Sequence, residues 1–274
     1  MILRIVLYCL LGGVGFMLPA LGAGHAGWWW LSGVLVTAAF VPIALFGPKT
    51  GLGQFGVISP VLLLVSVLTT WSEAVLFIRS PLIQEHAVAN LTYDSIGHLI
   101  AAAVLAVLWK ILKLTQPCDV TILRPAFMKA IGLISVGAFV YVVCYFIFGS
   151  ITYQFFTKKY YPEGAAIARA MGLWFWLLEL GRGLLIILAI VPAVYTLRLS
   201  RWNTAICVGL LLWITGGLAL LIVPNELLGG PQRFIHTIEI LTENFPPGVI
   251  AALLLRGKAP AEMWAGSAPH PSRT

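Results

Sequence analysis

The stretch MGLWFWLLELGRGLLIILAIVPAVYTL, residues 171–197, is apolar almost throughout, yet carries Glu179 and Arg182 near its start. A transmembrane α-helix needs about 20 mainly apolar residues to cross roughly 30 Å of hydrocarbon. This run exceeds that length, so the helix tilts or emerges at one end. A membrane-spanning β-strand would be about half as long and would alternate in polarity, so run length alone selects helix.

Comparable runs occur at 2–22, 29–47, 56–79, 96–115, 127–149, 203–223 and 234–255. Gly47 with Pro48, Pro117, Pro125, Pro162, Pro224 and Pro231 mark their ends or connections, where chain breakers belong. Hydrophobic residues make up 60% of the 274 and charged ones 10%, with a mean hydropathy of +0.96. That balance excludes a soluble globular domain. The expected fold is all-α: a polytopic integral membrane bundle of about eight transmembrane helices over residues 1–257. The tail 258–274, rich in Ala, Pro and Ser, is expected to be disordered.

The first 24 residues have the charge and hydropathy of a signal peptide. An uncleaved first helix is the preferred reading, because Trp28, Trp29 and Trp30 form an interfacial anchor leading straight into the second run. Gly12, Gly13 and Gly15 in the first run, and Ala102 with Ala106 in the fourth, are small-residue faces suited to close helix packing.

The net charge of +7 does not imply nucleic acid, since Lys and Arg lie at the ends of apolar runs and form no patch. The expected partners are the lipid bilayer and its anionic headgroups, with a further membrane protein or a second copy of the chain as options. With the N-terminus inside, eleven Lys and Arg fall on the inner side and five on the outer, with Arg182 left inside a span. Both termini are therefore expected in the cytoplasm, and a bacterial inner membrane is the expected location. Cys9, Cys118, Cys144 and Cys207 have no CxxC spacing, so neither a disulfide framework nor a thiol metal site is expected. No cofactor is expected either.

Charges inside spans are costly and usually mark function. Glu73 in TTWSEAVLF has no cation at helical spacing in its own run, since Arg79 is six residues on. It must find a partner on another helix, with Arg182 a candidate, meet water, or stay protonated. Glu179 and Arg182 are three apart and can pair on one face. In FIHTIEILTENFPPG, residues 234–248, His236, Glu239 and Glu243 are spaced i, i+3 and i+7 and share a helix face. Pro246 and Pro247 follow and are expected to break or kink that helix.

Because spans alternate in direction, all six residues fall in one half of the membrane, roughly 5 to 15 Å from its outer boundary at 1.5 Å per residue. His25, His86 and His98 with Asp94 are read into the connections on that side. So is YQFFTKKYYPE, where Lys158, Lys159, Tyr160 and Tyr161 suit headgroup contact. A polar cavity with Glu73, Glu179, Arg182, His236, Glu239 and Glu243 in its walls is thus expected. Its leading function is transport of a small polar molecule, proton or lipid headgroup. The alternatives are a membrane-embedded enzyme acting on an outer-leaflet or lipid-linked substrate, and a partner subunit of a larger complex. H-E-x-x-H, G-x-S-x-G and P-loop motifs are absent, so no known reaction is indicated. No metal is expected, although His236, Glu239, Glu243 and Glu73 carry suitable donor atoms.

Overall fold

A computed structural model describes residues 1–22, 24–77, 81–117, 120, 122, 124–159, 164–224 and 228–257. Arg79, Cys118, Tyr160, Tyr161 and the tail from Lys258 lie outside the described residues, as do the expectations attached to them. The described residues form helices and no strand. The helices are α1 (Ile2–Met17), α2 (Ala26–Phe46), α3 (Gly51–Pro60), α4 (Thr70–Phe77), α5 (Pro81–Leu112), α6 (Phe127–Thr152), α7 (Gly164–Met171), α8 (Leu173–Thr196), α9 (Arg201–Trp213), α10 (Ala219–Leu221) and α11 (Gly230–Leu255).

Eight helical stretches are long and apolar enough to cross a membrane, as the run lengths require: 2–20, 26–46, 51–76, 85–112, 127–157, 173–196, 201–221 and 230–255. The eight-run reading holds, with three adjustments. The fourth span begins well before residue 96, because the polar segment from Glu85 to Ser95 is helical. The fifth runs on to Thr157. The eighth begins at Gly230 and continues through Pro246 and Pro247 to Leu255, so the expected break is not there.

The helical irregularities lie elsewhere. π-Helical turns occupy Val61–Thr69 between α3 and α4, Tyr153–Thr157 after α6, and Ile214–Leu218 between α9 and α10. Such turns are uncommon and frequently occur at functional sites. Two of them are tied together, the Ser66 hydroxyl donating to the Thr215 carbonyl at 2.9 Å.

α11 packs between α6 and α9, α8 lies against α6, and α1 pairs with α2 and leans on α5. Lipid tails are as apolar as leucine, so close backbone approach and van der Waals fit hold these contacts together. The small-residue faces read from the sequence are in use: a Cβ on Gly12 would meet the Thr37 side chain at 2.4 Å, and one on Gly15 would meet Val104 at 3.2 Å. Ala102 is fully buried. Another close crossing is α9 on α11. A Cβ on Gly209 would stand 2.8 Å from Val249 and 2.9 Å from the Phe245 carbonyl oxygen, which cannot move aside. Gly209→Ala is expected to lower stability by about 1–3 kcal/mol through overpacking, seen as a drop in thermal midpoint in detergent. Gly56→Ala, where a Cβ meets nothing within 4 Å, is expected to be neutral or stabilising.

The bundle end that carries Met1 and Leu255 is closed by side chains hydrogen-bonded to carbonyls at or just past helix ends. Arg198 Nη2 donates to the Gly47 carbonyl at 3.0 Å, Gln54 Nε2 to that of Pro48 at 2.7 Å, and Arg201 Nε to that of Arg256 at 3.2 Å. Arg256 is buried and donates to the Leu197 carbonyl at 2.8 Å, to the Leu199 carbonyl and to the Thr204 hydroxyl. The last carbonyls of a helix have no partner within it, and cations are favoured there by the helix dipole.

Candidate functional site

The opposite end is open. A cavity of about 1650 Å³ is lined by the ends of the odd-numbered spans and the beginnings of the even-numbered ones, among them Phe16, Trp29, Glu73, Asp94, Tyr145, Thr215, His236, Glu239 and Glu243. Spans that alternate in direction bring those segments to one end, the one remote from Met1 and Leu255.

The structure gathers the six expected residues, but only Glu73, His236, Glu239 and Glu243 line the cavity; Glu179 and Arg182, expected in its walls, are buried behind them in the same cluster. Arg182 of α8 is its hub. Its Nη1 donates to both carboxylate oxygens of Glu179, at 3.0 and 2.8 Å, and its Nη2 to Glu73 Oε2 on α4 at 2.8 Å. Glu73 therefore takes its partner from another helix, and Arg182 is that partner. Glu179 is fully buried and Arg182 nearly so, whereas Glu73 is 42% exposed and faces the cavity. The Arg182 guanidinium also lies 5.4 Å from the ring centre of Tyr145 on α6, within cation–π range.

On α11, His236, Glu239 and Glu243 all line the cavity, as their one-face spacing requires. His236 Nδ1 stands 2.7 Å from Glu239 Oε2. Glu243 is buried, and among the described residues its Oε1 finds no hydrogen-bond partner. That oxygen reaches toward α6 where Gly149 has no side chain; a Cβ there would lie 3.0 Å from it. Because α11 starts at Gly230, Glu243 sits about 20 Å along a helix of about 39 Å. The site is thus nearer the middle of the bundle than the sequence spacing implied.

Four carboxylates, Glu73, Glu179, Glu239 and Glu243, face one guanidinium and one imidazole. Arg182 is shared by two of the acids, so the cluster is short of positive charge. It can hold a cation, accept a proton, or orient a polar group, all beside a wide cavity.

Sequence reading missed part of the wall. Asp94 and His98 belong to helix α5 and not to a connection, and both line the cavity. Trp71 Nε1 donates to Asp94 Oδ2 at 2.7 Å, and His98 Nδ1 lies 2.8 Å from the Asp94 carbonyl oxygen. Their i, i+4 spacing was the available signal, hidden because Asp94 lies in the polar segment before residue 96, which reads as a loop by hydropathy, although His98 falls inside the run 96–115. His86 is also on α5, exposed, while His25 precedes α2 and is exposed. Lys158 and Lys159 are exposed next to Thr157, a cavity residue. Among the described residues no three His, Cys, Asp or Glu side chains are placed to hold a metal ion. Cys9, Cys144 and Cys207 are free thiols.

Comparison with protein-family models, with curated proteins and with solved structures gives no match.

Proposed function

We propose that the chain is a permease-like membrane transporter for a small polar solute, with the Glu73, Glu179, Arg182, His236, Glu239 and Glu243 cluster as its binding site. The observation that carries this reading is one-ended access to a mid-bundle charge cluster. The cavity descends from one end to Glu243, while the other end is shut by arginines bound to helix-terminal carbonyls. Transporter sites lie near the bilayer midplane and open alternately to each side, and this arrangement has the form of one such state.

The match between Arg182 and two acids of its own chain supports a self-contained site over a stripe awaiting another subunit. The excess of Lys and Arg on the terminal side supports both termini in the cytoplasm and a cavity opening outward, in a cell membrane of bacterial type. Exposed Lys158 and Lys159 suit contact with anionic headgroups at that surface.

Alternating access separates transport from an enzyme that works on one face. Ser66 lines the cavity beside Thr215, and Ser66→Cys in a chain with its four native cysteines replaced by alanine gives a thiol at the base of the site. A membrane-impermeant maleimide added to oriented vesicles is expected to label it from both faces, more slowly from the terminal one. Labelling from the cavity face alone would defeat the transport reading and favour the enzyme.

A further inference from the structure

Glu243 is 6% exposed, lines the cavity, and has an oxygen for which no hydrogen-bond donor is present among the described residues. An ionised carboxylate without a partner is costly to bury. The charges around it do not relieve that cost. Glu239, Glu73 and Glu179 are acids, Arg182 is engaged with two of them, and His236 stands against Glu239. Oε1 itself is packed against α6, where a Cβ on Gly149 would lie 3.0 Å from it, and the Glu243 side chain meets the cavity beside that contact.

The rest of the wall indicates what kind of cation this carboxylate takes. Among the described residues no three His, Cys, Asp or Glu side chains are grouped to hold a metal ion. The cavity is far larger than an ion and is faced with aromatic rings, including Trp29, Trp71, Tyr145, Phe146, Phe175 and Trp176. Aromatic faces attract organic cations and bury their apolar parts.

Building on the transport reading of the same site, we infer that the bound solute is an organic ammonium: its N–H donates to the Glu243 carboxylate where that side chain lines the cavity, and its apolar body lies against the aromatic wall. The ammonium belongs either to a soluble amphipathic amine or to the headgroup of an amine-bearing lipid drawn from the bilayer.

Calorimetric titration of the purified full-length chain in detergent tests this with three probes of one shape and different charge: phenethylamine, phenethyl alcohol and phenylacetate. Phenethylamine alone is expected to bind. Equal binding of the alcohol or of phenylacetate, or no binding of the amine, overturns the assignment using the unaltered protein. Glu243→Gln keeps the side-chain size and is expected to weaken amine binding roughly ten- to a hundredfold, the value of a hydrogen bond to a charged group. Unchanged affinity in that variant places the ammonium elsewhere and also overturns it. Repeating the titration in nanodiscs separates the sources. Phosphatidylethanolamine that competes with phenethylamine identifies a lipid headgroup, and undiminished affinity identifies a soluble amine. If phenethylamine binds but Ser66→Cys is labelled from one face only, the ammonium site survives and transport does not. The converse pair of results removes the ammonium and leaves transport.

Discussion

Arg182→Met is expected to be among the most damaging single substitutions in the bundle. It leaves Glu179, fully buried, without its two hydrogen bonds and removes the partner of Glu73. Breaking a buried ion pair from one side costs about 3–5 kcal/mol, because the remaining charge stays buried and uncompensated. Thermal midpoint and the monodisperse fraction on size exclusion in detergent should both fall sharply. The damage should concentrate on Glu179, since Glu73 is 42% exposed and keeps water from the cavity. Glu73→Gln alone should therefore cost less than about 1 kcal/mol, in the range of exposed pairs. Neutralising the whole group is the sharper test, as replacing a complete buried ionic set by uncharged residues is often tolerated. The triple variant Glu73→Gln, Glu179→Gln, Arg182→Met should regain most of the midpoint lost by Arg182→Met. A triple variant no better than the single would mean that Arg182 acts through packing against Tyr145 and not through charge.

Arg256→Ala is expected to have the second largest effect, at the other end of the molecule. Arg256 is buried and donates to the carbonyls of Leu197 and Leu199 and to the Thr204 hydroxyl. Losing it strands acceptors at the end of α8, each costing about 1–3 kcal/mol if water cannot reach it. A loss of about 3 kcal/mol overall is expected, read again as thermal midpoint. Water entry would lower that figure and would leave a second signature. In the Ser66→Cys background, Arg256→Ala should speed maleimide labelling from the terminal face relative to the cavity face, because the closure there is weakened. Unchanged midpoint and unchanged labelling ratio together would show that the arginine contacts do not close this end.

Much of the site was legible because intramembrane charge is rare and helical spacing is rigid. Glu179 and Arg182 three apart, and His236, Glu239 and Glu243 at i, i+3 and i+7, could only present themselves together. The alternation of eight spans put Glu73 at the same depth. What hydropathy concealed was Asp94 and His98. One face of the polar half of α5, with Asn90, Tyr93, Asp94, Gly97 and His98, lines the cavity, and a hydropathy window cannot tell such a segment from a loop. The doubled proline misled in the opposite sense. α11 accommodates Pro246 and Pro247, and the irregular turns fell at 61–69, 153–157 and 214–218, where no local residue pattern had pointed.

By itself the sequence determined the class, the number of spans and the end of the bundle at which the charges gather. Those follow from local quantities: the free energy of placing each side chain in hydrocarbon, and the fixed rise of a helix. Only the tertiary structure decided that Arg182 serves both Glu73 and Glu179, that Glu243 is left without a donor, and that one end is open while the other is closed. Those depend on how helices distant in the chain rotate and cross. In lipid the crossings are set by where small residues let backbones meet, a fit of surfaces that no single stretch of sequence contains.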